Sequence, residues 1–467
     1  MSFLETVIGW LSPSKPAQPG ARLGGRRGKG AFVPAELAAA PAAVVTIADF
    51  DGSKGIEASN RLADILMEQE GLKVSRLNKR LGISGSGPLV ERLVEAAEKG
   101  RRWLAESQSD ILLWGEAEPG EAGEAEAVRI RFLARIPEAD GRPGSFGLGD
   151  NLDLPLEFST PLGGAVTAAL LAAVTPTKAG TRQRPAEMLM AELEGLAGLI
   201  ATPPKELSKP QAASVLTVIG NAYATMWRLD GNGERLDMAV AAYRGALAKI
   251  FPEEEPLTWA LTQNHLGAVL EAKGDKAKDI QPFEAAIEAY KSVTKTLHRA
   301  THSNDWALAH VRLGTAYYRM GAISGRAQHY QDSTAAFEAA LQVYTRAAMP
   351  GQWSETMNHL GVSYMGLGEQ VGGTKALEQS VSCFRQALEV RGQDATPLLW
   401  AQTANNLGAA AFALAKRNSD TGLMNEACSC FEGASEIYAR FDKPRMAKII
   451  NKNLFRVQRL LETRKAR

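Results

Sequence analysis

A tryptophan and a glycine recur along the second half of the chain at a fixed spacing. The segment from Trp259 to Gly267 returns three times, and each tryptophan and each glycine follows its predecessor by 47 residues. The later copies are Trp306 to Gly314, Trp353 to Gly361 and Trp400 to Gly408. One period earlier, Gly220 keeps the glycine while Ala212 stands in the tryptophan position. This regularity predicts five helical repeats, each of which buries its apolar face against its neighbours.

A second pattern runs in phase with the first. Aromatic residues lie one period apart at Tyr243, Tyr290, Phe337, Phe384 and Phe431. A small or β-branched residue follows each of them three positions later, at Ala246, Val293, Ala340, Ala387 and Ala434. Large and small side chains at helical spacing let two antiparallel helices interlock. The strict period of the tryptophans indicates packing between neighbouring units, so we do not expect them to bind a ligand.

This set of residues resembles the tetratricopeptide repeat. Leu313-Gly314 with Tyr317 and Leu360-Gly361 with Tyr364 match its first helix. The resemblance covers about residues 208 to 441 and implies an all-α solenoid, a right-handed superhelix of helix pairs. The usual unit is about 34 residues, and the longer one here is similar to the extended repeats of kinesin light chains and related peptide-binding adaptors. Residues 442 to 467 continue the phase and predict a solvating cap helix.

The resemblance places function on the groove that the first helices of tetratricopeptide units line. In that family the residues three before, one after and four after the signature glycine tend to face the groove. The candidate peptide-binding residues at these positions are Asn221, Asn264, Thr315, Tyr318, Asn358 and Asn405. An asparagine offers a donor and an acceptor together, so a ladder of them could clamp an extended peptide backbone. A solvated face and self-association stay open as alternatives.

Residues 42 to 160 have a different period, which predicts a small α/β domain. Apolar or alternating runs predict strands over 43–50, 72–77, 110–116 and 128–136, with a candidate edge strand over 152–158. Helical spacing predicts helices over 56–70 and 88–107. Residues 161 to 207 are expected to form helices that bridge this domain to the repeats and cap the first unit.

The α/β segment also resembles a known family. A strand ending Ala48-Asp49-Phe50 and a third strand reading from Ser109 to Glu116 look like the TolB amino-terminal-like domain, over about residues 42 to 136. Similar domains occur in envelope proteins and, joined to helical repeats, in cytoplasmic signalling proteins. Asp49 and Asp51 could suggest a metal or phosphoryl-transfer pair at the carboxyl end of a strand. We favour a plain strand-to-loop turn at Asp51-Gly52.

The first 41 residues predict a short amphipathic helix over 1–11 and a basic flexible linker over 12–41. The candidate docking residues of the helix are Phe3, Leu4, Val7, Ile8, Trp10 and Leu11. Three roles stay open for this helix: packing back on its own fold, docking on a protein partner, and peripheral contact with a membrane surface. Trp10 and the basic residues after the helix support the membrane contact, whereas Glu5 and the short length of the helix weaken it.

The net charge and the motif content limit the classes of function that the chain can have. With 53 Lys and Arg against 52 Asp and Glu, the net charge of +1 gives no general attraction to nucleic acid. The chain lacks an apolar run of membrane-spanning length and a signal-peptide pattern, which favours the cytoplasm, with membrane association left open. No catalytic, nucleotide-binding or metal-binding motif has a supporting context, so we expect neither enzymatic activity nor a bound cofactor or metal.

The sequence therefore predicts a non-enzymatic adaptor or scaffold that binds a protein or peptide partner. Homo-oligomerisation through the array is left open. The alternative is a regulatory sensor, in which the α/β domain binds a small ligand and the repeats relay the signal.

Overall fold

The computed structural model describes residues 41–83, 89–118, 127–135, 142–174 and 183–465. The predicted helix over 1–11, with its docking residues, and the linker over 12–41 lie outside these ranges. The described residues divide into two compact units, one reaching to Lys273 and the other starting at Gly274. This division lies further along the chain than the start of the repeats at 208. No helix within the described ranges combines the length and the apolar character needed to cross a membrane.

The first unit contains a mixed sheet of five strands in the order β2-β1-β3-β4-β5. The strands are β1 (Ala43–Asp49), β2 (Leu72–Arg80), β3 (Ile111–Glu118), β4 (Ala127–Ala134) and β5 (Asn151–Pro155). β1 pairs in parallel with both β2 and β3, whereas the pairs β3-β4 and β4-β5 are antiparallel. The four predicted strands and the predicted edge strand are confirmed.

Three helices accompany the sheet, namely α1 (Gly55–Met67), α2 (Leu89–Ser107) and α3 (Thr160–Ala173). α1 connects β1 to β2, and α2 connects β2 to β3 on the other side of β1. α2 buries Leu93, Ala97 and Leu104 in a cluster that also contains Leu112 of β3 and Leu133 of β4. The helical spacing in the sequence therefore places the apolar face of α2 against the sheet.

The edge of the sheet is covered by the first repeat, which belongs to the same unit. Its helices are α5 (Lys209–Asp230) and α6 (Gly233–Leu247), and α4 (Gln183–Ala201) precedes them. The hydroxyl of Ser214 on α5 donates to the carbonyl of Asn151 at 3.0 Å and accepts from the amide of Asp153 at 2.9 Å. Because these backbone groups of β5 have partners, the strand is not an open edge. The predicted bridging helix α4 packs against α5, where the hydroxyl of Tyr223 donates to the carbonyl of Leu193 at 3.1 Å.

The repeats consist of an A helix and a B helix in each copy. The further A helices are α7 (Pro256–Ala277), α9 (Ser303–Ser324), α11 (Pro350–Val371) and α13 (Pro397–Asn418). The further B helices are α8 (Gln281–Thr296), α10 (Ala327–Ala340), α12 (Lys375–Leu388) and α14 (Thr421–Arg440). Every A helix from α5 to α13 has 22 residues and begins 47 residues after the one before it. The last helix, α15 (Pro444–Lys465), begins one further period on and is a sixth helix of the A type.

The signature glycine marks the closest approach of an A helix to its B helix. A Cβ atom built at this position would lie within 3.0 Å of an aromatic ring in four units, at Gly220 (2.5 Å from Tyr243), Gly314 (2.9 Å from Phe337), Gly361 (2.8 Å from Phe384) and Gly408 (3.0 Å from Phe431). Real Cβ contacts are longer, so the helices can pack at this distance only around glycine. Trp259 packs on Ala213 and Ala246 of the preceding unit, as the period predicts.

Candidate functional site

The candidate peptide-binding residues lie inside the helix layers. The exposed fraction is 0% for Asn221 and Tyr318, 1% for Asn405, 2% for Asn358 and 4% for Asn264, and Thr315 is half-buried. The open groove that an asparagine ladder requires is therefore not found at these side chains. The reason is that A helices such as α5 and α13 are buried on nearly all sides over most of their length. Peptide binding by these residues stays a prediction, and it would require the helices to separate.

Hydrogen bonds show what several of these side chains do in the folded chain. The hydroxyl of Tyr243 donates to Asn221 Oδ1 at 2.6 Å, and the hydroxyl of Thr315 donates to a carbonyl in its own helix at 3.0 Å. Asn406 Nδ2 donates to Asn358 Oδ1 at 3.2 Å, and Asn405 Nδ2 lies 3.4 Å from Asn406 Oδ1. The structure thus brings Asn358 and Asn405 together around Asn406, where they join α11 to α13. Polar groups buried between helices need such partners.

We expect the substitution Asn358→Ala to destabilise the second unit. It removes the acceptor of Asn406 Nδ2, and leaving a buried donor without a partner costs about 1–3 kcal/mol. Hydrogen exchange of α11 and α13, measured by mass spectrometry, should report the change as faster exchange. Asn425→Ala, at an exposed position of α14, is the control and should leave exchange unchanged. Equal exchange in both variants would show that the buried bond contributes no stability.

A groove lies along α15. Its volume is about 900 Å³, and it is lined by Ala439, Asp442, Pro444, Ala447, Lys448, Asn451, Lys452, Phe455, Arg456 and Arg459. Phe455 is 65% exposed, more than any other large apolar side chain in the described part of the protein. Four of the lining residues are cationic and one is anionic. An exposed aromatic ring among cations differs from the purely solvating cap expected from the sequence.

The repeat phase explains where this groove comes from. Phe455 lies 47 residues after Gly408, so it occupies the signature position of an A helix. In the preceding unit this position receives the ring of Phe431 from helix α14. In α15 the ring stands on the A helix itself, and no B helix covers it within the described ranges. The sequence itself indicates this exposed ring, because a phenylalanine stands where the five earlier copies have glycine.

A second cavity, the β1–β3 cavity, lies at the carboxyl ends of the interior strands β1 and β3. Its volume is about 380 Å³, and it is lined by Asp51, Ile83, Leu89, Arg92, Glu116, Arg129 and Arg131. Asp51 follows β1 and forms a parallel bridge with Glu116 near the end of β3, so both acidic residues lie at the carboxyl ends of parallel strands. Leu89 begins α2, and Arg92 lies in the first turn of that helix. Arg129 and Arg131 reach the cavity from β4.

Ion pairs organise the arginines around this cavity. Arg129 makes two hydrogen bonds with the carboxylate of Asp153, at 2.8 and 2.9 Å. Arg131 donates to Glu116 Oε1 at 3.2 Å, and its guanidinium lies 5.7 Å from the ring centre of Trp114. Arg131 is only 5% exposed, although the alternating pattern of β4 suggests two solvent-facing arginines. Burial lowers the pKa of the Arg131 guanidinium, and the nearby carboxylate of Glu116 opposes this shift.

The two aspartates that the sequence places at the end of β1 have separate surroundings. Asp49 accepts from Arg76 at 2.5 Å, in a pair that joins β1 to β2, whereas Asp51 lines the cavity. Within the ranges that the structure describes, no three His, Cys, Asp or Glu side chains come together as a metal-binding group. The arrangement offers arginines and carboxylates as hydrogen-bonding groups around a small cavity.

Comparisons with known proteins leave the chain without an assigned family. No family model matches it. No curated protein matches it. Among solved structures, the crystal structure of the apo form of RapI is similar, with a TM-score of 0.36 and 11% sequence identity, over 60% of this chain and 94% of that chain. A likeness at this level carries no argument about function.

Proposed function

We propose that the protein is a non-enzymatic adaptor or scaffold, in which repeats of the tetratricopeptide type continue as a superhelix and bind a protein partner. We further propose that an acidic helical segment of that partner docks in the groove on α15. The observation that carries the proposal is the exposed Phe455 on a helix of the A type, at the position that a B helix covers in earlier units. Binding energy at helix grooves comes mainly from such aromatic anchors.

The repeat geometry favours a helix as the occupant. Each of the five repeat copies pairs its A helix with an antiparallel B helix, and α15 has the same length and phase as the other A helices. A partner helix could therefore take the B position. Because a phenylalanine replaces the glycine, the partner must present a small residue opposite Phe455, which reverses the usual glycine-aromatic pair.

The charges around the groove favour an acidic occupant. Lys448, Lys452 and Arg456 follow one another at spacings of four residues, which places them along one side of α15. Arg459 continues the groove, and Asp442 is its one acidic residue. Glutamates or aspartates on a docked helix would meet these cations and steer the association.

A protein helix fits this face better than a membrane surface. Ala447 is nearly buried and lies among the lining residues, so the groove is concave along α15. A bilayer binds amphipathic helices that present several apolar residues in one plane. Phe455 is the single large apolar side chain with high exposure on α15, so lipid would gain little from it.

We expect Phe455→Ala to weaken capture of the partner at least tenfold, since truncating a central aromatic anchor costs about 2 kcal/mol or more. Lys452→Glu should weaken capture as well, because it reverses one of the cations along the groove. The measurement is affinity purification of the full chain from its native cells with quantitative mass spectrometry, followed by titration with the captured acidic segment as a labelled peptide. Binding should weaken with ionic strength.

Two matched variants serve as controls. Phe251→Ala removes a ring of similar exposure, 53%, from the first unit, and Lys205→Glu reverses an exposed charge there. Both should capture the partner as the unchanged chain does. If Phe455→Ala and Lys452→Glu also leave capture unchanged, partner binding does not use this groove. If the variants lose binding to anionic vesicles and no protein is captured, the groove serves a lipid surface and the adaptor proposal is wrong.

A further inference from the structure

We propose that the β1–β3 cavity binds a small molecule that carries one phosphate group and several hydroxyl groups. Its lining residues come from the ends of β1 and β3, from the start of α2 and from β4. This site is independent of the partner groove on α15, and a ligand there would give the adaptor a regulatory input.

The position of the cavity in the sheet is the first argument. From β1 the chain crosses through α1 to β2 on one side, and from β2 it crosses through α2 to β3 on the other side of β1. The connections thus diverge between β1 and β3, beyond whose carboxyl ends an open α/β sheet forms a crevice. Ligands bind in such crevices. Asp51 and Glu116 lie at this point and line the cavity.

An incompletely satisfied arginine is the second, independent argument. Arg131 is only 5% exposed, yet its Nε has no hydrogen-bond acceptor among the described residues. Glu116, which accepts a hydrogen bond from Arg131, also lies 3.7 Å from Arg129. Buried donors normally have acceptors. A phosphate oxygen in the cavity would supply one.

Two further groups favour a phosphate beside Arg131. Arg92 Nη1 donates to the carbonyl of Ile83 at 2.7 Å, which holds its guanidinium at the cavity, and its Nε also lacks an acceptor in the described ranges. The first turn of α2, which has 19 residues, faces the same space through Leu89 and Arg92. Helix amino termini and arginines are the usual phosphate ligands of proteins.

The acidic side of the cavity limits what the rest of the ligand can be. The carboxylates of Asp51 and Glu116 repel a second negative group but accept hydrogen bonds from hydroxyl groups. Ile83 and Leu89 add an apolar wall. A volume of about 380 Å³ suits a small ligand and lies at the lower end of the range for ligand pockets. A sugar phosphate and a nucleoside monophosphate share this chemistry, one phosphate joined to hydroxyl groups.

Isothermal titration of the full chain tests the proposal with inorganic phosphate, ribose 5-phosphate, adenosine monophosphate and ribose. We expect ribose 5-phosphate or adenosine monophosphate to bind more tightly than phosphate, and ribose not to bind. The tighter of the two distinguishes a sugar-phosphate site from a nucleotide site. Arg131→Met should weaken binding about tenfold or more, since a hydrogen bond between charged groups contributes that much.

Arg131 is buried, so Arg92→Met, at a half-buried position, provides a second variant that keeps the ion pairs of β4. It should weaken binding to a similar extent. Arg135→Met is the matched control, because Arg135 follows the other end of β4 and pairs with Asp110. If neither Arg131→Met nor Arg92→Met changes the affinity, or if no phosphorylated probe binds at millimolar concentration, the site assignment is wrong. That outcome would not contradict the proposed partner groove on α15, which is tested separately.

Discussion

Gly361→Val is expected to lower the free energy of unfolding by about 3 kcal/mol, at the upper end of what overpacking a core costs. A Cβ atom at this position would lie 2.8 Å from Cε1 of Phe384, and the ring is fully buried between α11 and α12. The two methyl groups of valine would enlarge this overlap. Because the ring is fully buried, we expect the two helices to move apart. Hydrogen exchange of α11 and α12 should report the loss.

The same helix provides the control for this prediction. Gly351 lies in the first turn of α11, and a Cβ atom there would meet nothing within 4 Å. Gly351→Val should therefore change the free energy of unfolding by no more than about 0.5 kcal/mol, which is the difference in helix propensity. If both variants lose the same amount of stability, the loss at Gly361 does not come from the contact with Phe384.

The repeat period allowed the helix pairs to be predicted because each unit repeats the same contact. A glycine on the A helix and an aromatic residue on the B helix recur with the same spacing in five copies. The phase of these A helices therefore follows from the sequence. The strands of the α/β domain were predicted for a similar reason, since apolar runs and alternation reflect burial along one element. Periodicity shows which positions share a face of a helix. It does not show how many neighbours surround that face.

This limit explains why the asparagines were predicted to face a groove although their side chains are buried. Asn358 and Asn405 hold the positions that face a groove in the tetratricopeptide family, but here neighbouring helices enclose those positions. Arg131 illustrates the same limit in the sheet. An arginine in an alternating strand indicates a solvent-facing side chain, and only the pairing of β4 with β3 places it over Trp114 beside Glu116. The surroundings of a polar side chain depend on contacts between segments that are distant in sequence.

The pair of Asp150 and His265 is the clearest case of such a distant contact, and it leads to the second large prediction. Asp150 Oδ1 lies 2.8 Å from His265 Nε2, across 115 residues of sequence, and both side chains are buried. Asp150 Oδ2 accepts from the amide of Gly147 at 2.6 Å, and the ring of His265 stacks on Tyr243 with 5.9 Å between ring centres. The histidine is thus structural, and it joins α7 to the loop before β5. His359 occupies the same repeat position two periods later, a recurrence that indicates a structural or solvent-facing role for both residues.

Asp150→Ala is therefore expected to destabilise the first unit by about 3 kcal/mol, because it removes a buried carboxylate and leaves the donors of Gly147 and His265 without an acceptor. Thermal unfolding monitored by circular dichroism, with hydrogen exchange of β5 and α7, measures the change. Asp237→Ala is the control: Asp237 pairs with Lys273 in the same unit, but its side chain is 63% exposed. An exposed pair contributes about 0–1 kcal/mol. A loss of equal size in the two variants would mean that the buried contact adds nothing beyond a surface ion pair, and that α7 is held to the sheet by apolar packing alone.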